Sequence, residues 1–176
     1  MSVTASSESS AHDFDFWTGT WRGRNRRLRE RLAGCAEWDE FEGTCVARPL
    51  LDGLGHMDEF RTDYQGGLAG LSLRFFDSET RLWSIHWTDT GRSGLLESPV
   101  VGSFAGGIGV FECDDTFDGR PIIVRYVWSD VTTAAARWEQ AFSEDGGETW
   151  DTNWTTRHTR IASGAESAAA RPVPVR

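Results

Sequence analysis

The chain has 176 residues, the size of one domain, and 39% of them are hydrophobic, enough for a real core. Twenty-seven acidic residues against 18 basic ones leave a net charge of −9, so the chain lacks the basic face that general phosphate-backbone binding needs. The sequence contains no lysine, and the one local exception to its acidity is the arginine cluster Arg22, Arg24, Arg26, Arg27, Arg29 and Arg31.

Three cysteines, Cys35, Cys45 and Cys113, are too few and too irregularly spaced for a disulfide framework or a zinc site. No basic segment followed by an apolar stretch opens the chain, and no run of about 18 apolar residues could cross a bilayer as a helix. A cytoplasmic protein is expected. Nine tryptophans are a heavy load for this length. Each brings a large apolar area and one N–H that needs a partner, so they either fill a core or wall a pocket.

Residues 1–12 are rich in Ser, Ala and Thr, without periodicity, and are expected to form a mobile tail. The same holds for 162–176. Between them, 13–161 are expected to form one domain. One helical turn is expected near His12 to Trp17. Strand signals follow at 15–31, 36–48, 56–64, 68–76, 81–89, 95–104, 108–115, 120–129, 134–142 and 149–161. Turn chemistry separates them: Phe76 to Thr80, Ala105-Gly106-Gly107 and Phe117-Asp118-Gly119. Ten short strands in simple succession predict an all-β fold, a single antiparallel up-and-down barrel whose closure leaves no free edge.

Alternation assigns faces. Trp83, Ile85 and Trp87 share one side, opposite Ser84, His86 and Thr88. Ile122, Val124, Tyr126 and Trp128 share another. Trp138, Gln140 and Phe142 alternate with Arg137, Glu139 and Ala141. Trp150, Trp154, His158 and Arg160 are placed inside, opposite Asn153 and Arg157. If Trp21 points inward, Gly23, Asn25 and Arg27 follow it, and Arg22, Arg24 and Arg26 face water. Arg27 then either takes a carboxylate partner, from Glu40 or Glu42 if Trp38 is also inside, or sits solvated beyond the barrel.

Phe14-Asp15-Phe16-Trp17-Thr18-Gly19-Thr20-Trp21, with Trp83-x-Ile85-x-Trp87 and Arg137-Trp138-Glu139-Gln140, resembles the calycin superfamily (lipocalin and fatty-acid-binding-protein-like). Within it, the pattern is similar to a bacterial family of lipocalin-like domains of unassigned function. The resemblance implies a barrel with a cavity and carries no catalytic set. It also implies that Gly19, Trp21 and an arginine of the last strand, Arg160 before Arg157, close one end of the barrel. Nitrobindin-like haem barrels open with the same Gly-x-Trp strand. The residues around His158 do not make a haem-ligand context, so no cofactor is expected, with haem as the alternative. Ser143-x-Asp145-x-Gly147-x-Thr149-Trp150 resembles an Asp-box, a turn-stabilising hairpin.

No nucleophile elbow, metalloprotease helix or phosphate loop is present. Polar candidates for chemistry are His56, His86, His158, Glu40, Glu42, Glu139 and Tyr126, with His158 and then His86 as the catalytic choices. A strand histidine also serves as plain packing. Asp114, Asp115 and Asp118 read as a solvated turn, and no metal site is expected. The ligand-binding set is Trp83, Trp87, Tyr126, Trp128, Trp138, Gln140, Trp154 and Arg27. The expected function is binding of a small hydrophobic or aromatic molecule in a Trp-lined cavity. Two alternatives stand beside it: a cofactor-independent isomerase or cyclase on the same frame, and a structural or interaction protein whose barrel is filled by side chains. The expected partner is that small ligand, with neither nucleic acid nor membrane. A homodimer is left open.

Overall fold

In a computed structural model, which describes residues 5–91 and 98–161, the alternating segments become ten antiparallel strands. They are β1 (Gly19–Leu28), β2 (Trp38–Leu50), β3 (Gly55–Thr62), β4 (Leu68–Asp77), β5 (Leu82–Asp89), β6 (Val100–Ala105), β7 (Ile108–Phe117), β8 (Arg120–Ser129), β9 (Ala135–Ser143) and β10 (Asp151–Arg160). Each strand pairs with its chain neighbours, and β1 closes the sheet against β10, giving a calycin-like up-and-down barrel. Every expected strand is present. The front of the first, Asp15–Trp17, is instead a single 3-10 turn, within the stretch where one helical turn was expected. Residues 92–97 and 162–176 lie outside the described residues, so part of the sixth expected strand and the whole C-terminal tail are among them. No helix among the described residues is long and apolar enough to cross a membrane.

The 3-10 turn plugs one end of the barrel. Trp17 and Trp21 stack with centroids 4.8 Å apart, and the Trp21 indole N–H donates to the Trp17 carbonyl at 2.7 Å. The Arg160 guanidinium lies 4.2 Å above the Trp21 ring and donates to the carbonyls of Thr133, Phe16 and Thr18. Gly19 is required here. Its φ is +122°, and a Cβ would stand 2.6 Å from Arg160 Nη1. Gly19, Trp21 and Arg160 thus form one closing unit.

Residues 5–12, expected to be part of a mobile tail, are instead laid across this plugged end. Ser9 is fully buried, and Arg81 donates to the carbonyls of Ser7 and Ser9. The Ser6 amide donates to Ser103 Oγ, and the Gly106 amide donates to Glu8. Composition alone cannot reveal this, because the segment is held by its backbone groups and small hydroxyls rather than by an apolar stripe.

Face assignments hold along most strands and fail at Trp150 and Asn153, and the condition set on Trp38 is not met. Trp38 faces outward with Glu40 and Glu42, because the β1–β2 register pairs Arg27 with Asp39 and Leu28 with Trp38. Glu40 and Glu42 therefore pair with Arg26 and Arg24 on the outer surface, and neither reaches Arg27. A β-bulge between Thr152 and Trp154 shifts the parity of β10. As a result Asn153, expected outside, is fully buried and accepts from Gln140 Nε2 at 2.7 Å. Trp150, expected inside, instead lies 3.4 Å beneath the Arg125 guanidinium. The hairpin around Asp145 has the Asp-box arrangement, with Asp145 accepting from Thr149 and Ser143, and Trp150 donating to the Gly147 carbonyl.

Candidate ligand-binding site

Above the plug the barrel is hollow. A cavity of about 530 Å³ runs from the plug to the opposite end. Its walls follow from alternation: each strand sends every second side chain inward, and those positions are rich in aromatic residues. Trp87, Tyr126, Trp138 and Trp154 line it together with Phe60, Phe117 and Phe142. Several rings are seated by specific contacts. The Trp87 indole donates to Asp89 at 3.0 Å and lies over Gly70, where a Cβ would meet the ring at 2.1 Å. The Trp154 indole donates to Asn25 at 3.1 Å, and Trp138 meets it edge-on at 5.7 Å. Tyr126 meets Trp138 edge-on at 5.1 Å.

Arg27 and Arg31 line the cavity away from the plug. Arg27 lies 4.9 Å over Trp154, and Arg31 lies 5.3 Å over Phe117 and 5.6 Å over Phe142. Arg27 is thus neither buried beside Glu40 or Glu42 nor free of the barrel; its long stem runs along an aromatic face and its head lies on the lining.

The floor, beside the plug, is polar. Asp58 of β3 and Arg74 of β4 form a buried ion pair, with Nη1 and Oδ1 2.5 Å apart and both side chains at most 5% exposed. Trp17 donates to the same Asp58 oxygen at 3.0 Å. The Arg74 guanidinium also packs 5.0 Å from the Phe14 ring and 5.7 Å from the Trp128 ring. His158 is wedged between Trp17, at 4.6 Å edge-on, and Trp128, at 5.8 Å and nearly parallel. Burial, with the Arg74 charge as a lesser contribution, lowers its pKa to about 4, against a smaller opposing pull from Asp58, so the ring is neutral at pH 7. Burial likewise lowers His56 to about 4, and it contacts Thr18 Oγ1 at 3.3 Å. Cys45, another lining residue, has its thiol pKa raised well above the usual value by burial. Four buried nitrogens of these floor residues make no hydrogen bond among the described residues: Arg74 Nη1, whose partner is the Asp58 ion pair, and Arg74 Nε, Trp128 Nε1 and His158 Nδ1.

Of the residues singled out from sequence, the cavity brings together His158, Trp87, Tyr126, Trp128, Trp138, Gln140, Trp154 and Arg27. The other polar candidates, His56, Glu40, Glu42 and Glu139, do not line it, and neither do one catalytic choice and one member of the ligand-binding set. Trp83 is inward and 1% exposed, but it belongs to the plug, where its N–H donates to Ser10 and Asp13 and its ring meets Phe14 edge-on at 4.9 Å. His86 is on the outer face of β5, its ring 6.1 Å from Phe75, and cannot reach a ligand inside the barrel. The sequence reading missed Asp58, Arg74 and Ser72. Their signal was present: Asp58 falls in step with His56 and Phe60, and Arg74 with Gly70 and Ser72, so each charge interrupts an inward-facing row. Among the described residues no group of three or more His, Cys, Asp or Glu side chains could hold a metal ion.

No family model matches the chain. No curated protein matches it either. Solved structures do share its architecture. The S-type phycobiliprotein lyase CPES from Guillardia theta superposes with a TM-score of 0.58 at 11% identity, over 89% of this chain and 95% of that one. Rv2717c from M. tuberculosis superposes with a TM-score of 0.58 at 11% identity, over 88% of this chain and 99% of that one. At this identity the likeness concerns the fold: the chain is a ten-stranded, calycin-like barrel.

Proposed function

We propose that the chain binds a small, mainly apolar or aromatic molecule inside its barrel. The observation that carries this reading is the cavity of about 530 Å³, walled by indole and phenyl rings and given a few polar groups at its floor. Ligand pockets of roughly 300–1,000 Å³ have this make-up. The volume also weighs against a barrel filled by its own side chains. One of the structures sharing the fold is named a phycobiliprotein lyase, which is consistent with a small molecule held in such a barrel.

Binding is favoured over isomerase or cyclase chemistry by the state of His158. A general acid or base works best with a pKa near the operating pH, whereas His158 is held at about 4 and packed between two indoles.

Titration with 2-acetylnaphthalene, followed by tryptophan emission, tests the reading. Saturable quenching at one equivalent is expected. Leu68→Trp, which adds an indole to the cavity lining, should weaken it at least roughly tenfold, a loss of about 1.4 kcal/mol. The absence of saturable binding across naphthalene, indole and phenylpropanoid compounds would overturn it.

A further inference from the structure

We infer that the cavity floor is a receptor for a neutral carbonyl oxygen, so that the occupant is an aryl ketone, aldehyde, lactone or quinone that enters oxygen first. The inference deepens the binding reading above and rests on it. Arg74, Trp128 and His158 all line the floor, and they are 3%, 3% and 6% exposed. Arg74 Nε and Trp128 Nε1 can only donate, and neither has an acceptor among the described residues. An N–H left unpaired away from water is costly, so two such donors on one floor call for an acceptor atom between the aromatic walls.

Charge selects among acceptors. Arg74 is already neutralised by Asp58 at 2.5 Å, and the floor as a whole carries no surplus positive charge. A second carboxylate brought beside Asp58 would be repelled in a poorly hydrated site, whereas a neutral carbonyl accepts from both donors without that repulsion. The conjugated or aromatic body attached to it then lies between Trp87, Trp138 and Trp154, with ring-to-ring contact along its length.

The test compares 2-acetylnaphthalene with 2-ethylnaphthalene, which keeps the shape and lacks the oxygen, by calorimetry with protein injected into ligand. The ketone should bind roughly tenfold more tightly, the value of one well-placed hydrogen bond. Its C=O stretch should move to lower frequency in the complex than in hexane. Trp128→Phe keeps the ring and removes one donor, and should lessen both effects. Asp58→Asn/Arg74→Met removes the second donor without stranding a buried charge and should lessen them likewise, and Trp128→Phe added to it should abolish the preference. Equal binding of the two ligands with an unshifted C=O stretch would overturn the carbonyl receptor and leave the container standing. A preference undiminished by the removal of both donors would also overturn it. Failure of both ligands to bind would overturn the container and the receptor together.

Discussion

The indole of Trp87 on β5 lies against Gly70 on β4, so close that a methyl group at Gly70 would meet it at 2.1 Å. The bare backbone of one strand thus seats a cavity wall contributed by the next. Gly70→Ala should fold, because the backbone angle there is ordinary. The extra methyl must push the ring into the cavity, at an overpacking cost of about 1–3 kcal/mol. A lowered denaturation midpoint together with weakened 2-acetylnaphthalene binding is expected. Unchanged affinity would show that the ring is not a wall of the site.

Arg160 should matter to stability and not to ligand choice. Its guanidinium caps Trp21 and satisfies the carbonyls of Phe16, Thr18 and Thr133. Arg160→Met should lower stability by about 2–4 kcal/mol, since several charge-assisted hydrogen bonds are lost together. Arg160→Lys should recover little, because a point ammonium cannot reproduce the planar fork. Denaturant melts measure both.

The Asp58–Arg74 pair predicts strong coupling. Arg74→Met alone leaves a buried carboxylate without its cation and should cost about 3–5 kcal/mol. Asp58→Asn/Arg74→Met should cost much less than the sum of the single changes, because no uncompensated charge remains. Additive effects in a double-mutant cycle would contradict the pairing.

The two buried histidines set a pH dependence. Each is neutral in the fold with a pKa near 4, whereas the unfolded chain binds the proton near 6.5. Between those values the unfolded state holds more protons, so stability rises with pH through this window and is lost as pH falls below about 6.5. The expected drop from pH 7.5 to 5.5 is about 2–3 kcal/mol for the two together. His158→Gln should remove about half of that slope. A flat stability profile between pH 7.5 and 5.5 would refute the buried neutral state.

Much of the architecture was legible because period-two alternation and glycine-bearing turns are local signals. The closing unit of Gly19, Trp21 and Arg160 was also readable, through its resemblance to calycin barrels. The faces of Trp150 and Asn153 were not, since a single bulge inverts parity and leaves little trace in composition. Trp83 was assigned correctly to the interior but to the wrong depth: alternation reports the face of a residue, and depth depends on where the 3-10 turn ends its plug. Asp58 and Arg74 each left a trace as a charge in an inward row, but their pairing was hidden because they meet across β3 and β4 from an offset register, with Asp58 opposite Ser72. Residues 5–12 were read as a tail because their attachment runs through backbone carbonyls and serine hydroxyls.

A crystal structure of the protein grown with 2-acetylnaphthalene would show where the ligand sits and what its oxygen touches. Density is expected for one ligand inside the barrel, flanked by Trp87, Trp138 and Trp154, with its oxygen within hydrogen-bond distance of Arg74 or Trp128. A ligand bound only on the outer surface, or a barrel whose side chains close the cavity, would contradict binding inside the barrel.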